Sequence, residues 1–197
     1  MARGNQASGS PSRAAGTPPP DSETGDPEAQ ARQICLRLLT AAPRTRAQLA
    51  TALRRHGIPA GAAEVMLGRF TDVGLIDDAA FARAWVESRH YSRGLSRRSL
   101  SAELRRQGVE TEEIREAVGT LDPEQEVATA RRLVEQKMAA TRGQPPEARV
   151  RRAAGTLARK GYPPGLVFRL IKEVLEQEGA HGTPELDPDQ YLDPDGE

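Results

Sequence analysis

Along residues 31–176 apolar side chains recur at intervals of three and four, the spacing that gathers them on one face of an α-helix. No run alternates apolar and polar positions in the period-two manner of a half-buried strand, and Val and Ile are sparse, so the predicted fold class is all-α. A longer period lies over the short one. With Gly57, Gly108 and Gly161 in register, Leu53, Leu104 and Leu157 stand four residues before each glycine, and Leu49, Leu100 and Ala153 eight before. Ala63, Ile114 and Val167 stand six after; Leu67, Val118 and Ile171 ten after; Phe70, Leu121 and Val174 thirteen after. The glycines themselves are 51 and 53 residues apart, so five apolar columns repeat three times, the signature of a repeat protein.

Local chemistry explains each copy. The glycine ends a helix in a left-handed conformation that has no Cβ penalty. Before it, Thr45 with Gln48 has capping-box spacing and Ser96 is placed as an N-cap. After it comes a second amphipathic helix, and upstream of each pair lies another, through Ile34–Leu39, Phe81–Arg89 and Val127–Met138. Asp26-Pro27 and Asp122-Pro123 each offer an Asp cap with Pro in the first helical position. The prediction is three three-helix repeats, over 27–76, 77–121 and 122–179. Units this small bury little surface alone, so they are expected to pack into an elongated, curved array. Residues 1–26, with Pro18-Pro19-Pro20, and the acidic residues 180–197, with Asp187-Pro188 and Asp193-Pro194, are expected to be disordered tails.

Composition changes this picture at one point. Only 4% of the chain is aromatic, which argues against one large core, and the formal net charge is zero. That balance hides a split: residues 31–176 hold 26 basic against 17 acidic side chains, while residues 177–197 hold seven acids and no Lys or Arg. A basic body suits a polyanionic or acid-rich partner, or is an ordinary solvated surface. Cys35, the only cysteine, excludes an internal disulfide and a thiolate metal cluster, and falls on an apolar helical face. No apolar run approaches the roughly 18 residues needed to span a bilayer, and no secretion signal is visible, so a cytoplasmic location without membrane contact is expected.

Three stretches resemble a known family: Gly74-Leu75-Ile76-Asp77-Asp78-Ala79-Ala80-Phe81-Ala82; Arg89 and Gly94 with Leu100-Ser101-Ala102-Glu103-Leu104-Arg105-Arg106-Gln107-Gly108-Val109; and Leu157-Ala158-Arg159-Lys160-Gly161-Tyr162. The family is the bacterial regulatory proteins RecX, which modulate the RecA recombinase, and the resemblance runs from about residue 31 to 177. It implies tandem three-helix repeats, no catalytic activity and no cofactor. It further implies binding in the groove of a RecA–DNA filament, with inhibition of RecA's ATPase, strand exchange and filament growth, and so a role in recombination, DNA repair and the SOS response.

The densest basic region is residues 79–109, where Arg83, Arg89, Arg93, Arg97, Arg98, Arg105 and Arg106 with His90 face only Glu87 and Glu103. Arg89, Arg93, Arg97, Arg98, Arg105 and Arg106 are the candidate partner-binding residues, since guanidinium groups engage carboxylates and phosphates bidentately. The plainer reading is a solvated helix face with local pairs such as Glu103 with Arg106. Asp77 and Asp78 lack further ligands at metal spacing and are read as helix caps; Phe81 and Trp85, four apart, as packing residues. His56, His90 and His181 are isolated in sequence, with His56 suited to a helix C-terminus. There is no phosphate loop, nucleophile elbow or metal signature, so no enzyme is predicted. A monomer is expected.

Two rivals stay open. Three short helices around a glycine turn also outline a helix-turn-helix DNA-binding protein. Its reading helix would be the third of each unit, yet Glu110, Glu112, Glu113 and Glu116 there face a single Arg115. Base reading is therefore disfavoured, while non-specific phosphate contact remains. The other rival is a helical adaptor unrelated to recombination.

Overall fold

The computed structural model describes residues 26–179; the predicted tails, and His181 with them, lie outside the described residues apart from Asp26. Among the described residues nine helices follow one another: α1 Pro27–Ala41, α2 Arg46–Arg55, α3 Ala60–Asp72, α4 Asp78–Arg93, α5 Arg97–Arg106, α6 Thr111–Gly119, α7 Pro123–Ala140, α8 Pro146–Arg159 and α9 Pro164–Gln177. No strand occurs among the described residues.

The predicted punctuation is in place. The Asp26 and Asp122 carboxylates accept from the amides of Glu28 and Glu124 beside prolines that open α1 and α7. Thr45 and Gln48 form a reciprocal capping box at α2, and the Ser96 hydroxyl accepts from the Ser99 amide at α5. Gly57, Gly108 and Gly161 take φ of 74°, 80° and 83°, the left-handed region that closes a helix.

All five apolar columns point inward, and they fill three separate cores rather than one. Leu49, Leu53 and Leu67 centre the first, with Cys35 fully buried among them. Leu100, Leu104 and Ile114 centre the second, and Leu157, Leu170 and Ile171 the third. Each core is enclosed by its own three helices, so the molecule is an elongated array of small bundles.

The joints between bundles are polar and repeat one design. The Thr45 hydroxyl, at the start of α2, donates to the Gln107 carbonyl at the end of α5 over 2.7 Å. One bundle further on, the Ser96 amide at the start of α5 donates to the Lys160 carbonyl at the end of α8 over 3.0 Å. Helices α8, α5 and α2 thus abut head to tail, the negative end of each dipole against the positive end of the next. An acid from the following bundle completes each joint. Asp78 accepts from the Arg46 amide at 2.9 Å, and Glu126 accepts from the Arg97 amide at 2.8 Å.

Candidate functional site

The six candidate arginines divide into two groups. Arg89 and Arg93 lean from α4 towards Glu103 of α5, at 4.0 and 3.7 Å. Glu103 also accepts from the Trp85 indole N–H at 2.9 Å, and the Arg89 guanidinium lies 4.3 Å from the centroid of the Trp85 ring. Phe81 stacks on Trp85 with centroids 5.5 Å apart, both against the second core, as their four-residue spacing predicts. Glu103 therefore serves α4 and not Arg106, its expected local partner. Arg97 turns the opposite way, to Glu126 of the third bundle at 3.4 Å, and its Nε is buried without a hydrogen bond. These three arginines hold helices and bundles together. Arg98, Arg105 and Arg106 remain exposed, with no ion pair among the described residues.

Asp77 caps α4 as predicted, accepting from the Ala80 amide. Asp78 does something the sequence did not disclose, reaching back to the first bundle. Burial pushes its carboxyl above the ordinary carboxylate value despite the Arg46 amide and guanidinium, with Asp77 and Glu110 adding to the rise. His56 occupies the C-cap of α2. His90, isolated in sequence, is buried at the second joint, where one ring nitrogen meets the Leu95 carbonyl at 2.9 Å and the other the Thr129 hydroxyl at 3.0 Å.

Sequence reasoning missed the grooves at the joints. The first, of about 530 Å³, is lined by Arg44, Arg55, His56 and Arg106 with neutral residues and no acid. The second, of about 590 Å³, is lined by Arg93, Arg132, Arg159 and Lys160, again without an acid. Arg55, Arg106 and Arg159 each precede a turn glycine by two residues, so the aligned repeats did carry the signal as a column. Burial pushes the Lys160 ammonium below its ordinary value, and the positive charges of Lys137 and Arg93 push it further. The outward side of α6, by contrast, carries exposed Glu112 and Glu116, with exposed Glu110 at its N-cap. Among the described residues no group of three His, Cys, Asp or Glu side chains is placed to hold a metal ion, and no helix is long and apolar enough to cross a membrane.

Three family models match in tandem: the first three-helix domain of RecX over residues 31–70, the second over 77–118 and the third over 124–171. The chain is 58% identical over 173 residues to regulatory protein RecX of Thermobifida fusca (strain YX), covering 86% of this chain and 94% of that one. It is 60% identical over 154 residues to its namesake in Streptomyces coelicolor (strain ATCC BAA-471 / A3(2) / M145), covering 78% and 82%. A crystal structure of regulatory protein RecX superposes with a TM-score of 0.66 at 25% identity, over 75% of this chain and 72% of that one. That of RecX from Lactobacillus salivarius, at 17% identity, shares the fold with a TM-score of 0.68 over 76% and 97%.

Proposed function

Because the chain belongs to the RecX family of regulatory proteins, we propose that it binds the RecA–DNA filament along its groove and inhibits RecA's ATPase, strand exchange and filament extension. In this reading it modulates recombination and DNA repair in the cytoplasm, as a monomer acting by binding and not by catalysis. The observation that carries the reading is the array: three bundles with separate cores, joined head to tail into one extended contact surface. An array that spans neighbouring RecA subunits opposes the rearrangements that accompany ATP turnover and subunit addition. Contact falls to exposed Arg98, Arg105 and Arg106, while Arg89, Arg93 and Arg97 hold the surface in shape.

The test is to titrate the protein into RecA assembled on single-stranded DNA and follow ATP hydrolysis. Stoichiometric loss of hydrolysis is expected; no effect would leave the helical adaptor as the better reading. Reversing Arg98, Arg105 and Arg106 to Glu should raise the concentration for half-inhibition about tenfold or more, since like charges across an interface cost several kcal/mol. Far-ultraviolet circular dichroism should be unchanged. A helix-turn-helix mode is disfavoured by the acidic outer face of α6, which would meet phosphates.

A further inference from the structure

We infer that the trough across the second joint seats a short run of single-stranded nucleic acid, its phosphates on Arg132, Arg159 and Lys160 and one base against Tyr91. Tyr91, in the last turn of α4, is 86% exposed, the most open of the large apolar side chains among the described residues. It stands on the rim of the acid-free groove at this joint and also on the rim of an adjoining cavity of about 630 Å³. Arg132 also lines both, so the groove and the cavity share one cation and one aromatic ring and are taken together as the trough. The adjoining part adds Arg83 and one acid, Glu87.

The combination points to a strand. Proteins that hold single strands without sequence preference pair a basic groove that tracks the backbone with aromatic rings on which bases stack. Arg132 and Arg159 are exposed and make no ion pair among the described residues, so their guanidinium groups are available to phosphate. Lys160 donates one hydrogen bond to the Arg93 carbonyl and keeps two N–H groups to offer. Its ammonium is crowded by Lys137 and Arg93, a repulsion that a bound phosphate relieves. An acidic peptide would satisfy the cations but give the tyrosine ring nothing to do. A duplex would keep its bases stacked inside, beyond the ring's reach. The seat requires no second protein, so its failure would leave the filament reading standing.

The probe is a fluorescein-labelled oligothymidylate of about 12 nucleotides, within the site sizes such grooves take. Fluorescence anisotropy over a salt series should show binding that weakens steeply as salt rises. Tyr91→Ala should weaken it about tenfold, the loss of one stacked base, and Tyr91→Phe should restore it. Arg132→Glu with Arg159→Glu should reduce the salt slope by about two phosphate contacts, while Arg32→Glu with Arg37→Glu, exposed on α1, should leave it unchanged. All these side chains except Lys160 lie on the surface, and thermal melting confirms that each variant is folded. The inference is overturned by absence of binding, by Tyr91→Ala binding like the parent, or by equal losses in the α1 control. It is also overturned if a polyglutamate peptide of matched charge displaces the strand as well as unlabelled oligothymidylate does, which would make the trough an acidic-peptide site.

Discussion

A methyl group added at Gly108 would lie 2.3 Å from the Cβ of Ala47, an atom fixed by its own helix. At Gly161 it would meet the Ser99 hydroxyl at 2.3 Å and the Ser96 hydroxyl at 2.6 Å, of which Ser96 is committed to capping α5. At Gly57 nothing lies within 4 Å. The three glycines were legible as one column because all need the left-handed conformation; that two of them also sit against a neighbouring bundle was not, since contact across a joint leaves no periodic trace. Gly57→Ala should cost about 1–2 kcal/mol, the strain of an L-residue in that conformation. Gly108→Ala should cost the most, with Gly161→Ala between them, and urea unfolding at matched temperature would check the order. A second residue sets a pH limit. The Tyr162 hydroxyl donates to the Gly94 carbonyl at 3.1 Å across the second joint. Burial pushes its pKa well above the ordinary 10.0, with Glu126 adding to the rise and Arg132 opposing it. A phenol whose pKa is raised in the folded state contributes fully below the unfolded value, and that contribution drains away once the unfolded chain ionises. Melting temperature should therefore fall as pH rises above about 10, and Tyr162→Phe should flatten that slope at the cost of one hydrogen bond.

Helices were the most legible level, since caps, prolines and the three-four spacing all act within a few residues of one another. Charge pairing was the least. Within residues 79–109 the arginines outnumber the acids because Glu126 lies outside that stretch, and Glu103 reaches across to α4 instead of pairing within its own helix. Likewise Arg149, nine-tenths buried, donates to Glu178 at 2.7 Å and to the Met138 carbonyl at 3.0 Å, tying α8 to the ends of α7 and α9. Nothing in its local sequence separates it from the exposed Arg151 and Arg152. The element-level consequence lies in the acids that reach across the joints. Glu126→Ala removes both the acceptor for the first amide of α5 and the charge beside Arg97. Charge-assisted hydrogen bonds of this sort contribute roughly 1.5–3 kcal/mol. The loss should fall on the joint and not on the cores, neither of which contains Glu126. Amide exchange should quicken at the start of α5 and at the end of α8, while the centres of α5 and α8 keep their protection.

For the whole molecule, the division into three cores with polar joints means that shape and stability are set by different residues. Apolar columns hold each bundle; Thr45, Asp78, Ser96 and Glu126 hold the bundles in line. If inhibition of RecA depends on one surface reaching past a single subunit, the protein behaves as three linked ligands, and its affinity rests on the geometry of the links. Asp78→Ala with Glu126→Ala then offers a test that spares every residue proposed to touch the partner. Small-angle scattering should show a larger and more variable radius of gyration with unchanged helical content. The concentration for half-inhibition of DNA-dependent ATP hydrolysis should rise by about one order of magnitude or more, as effective concentration between the bundles falls. If the double variant loosens in scattering yet inhibits like the parent, one bundle suffices and the array is an incidental arrangement. If it neither loosens nor loses inhibition, the joints are held by the head-to-tail carbonyl bonds alone.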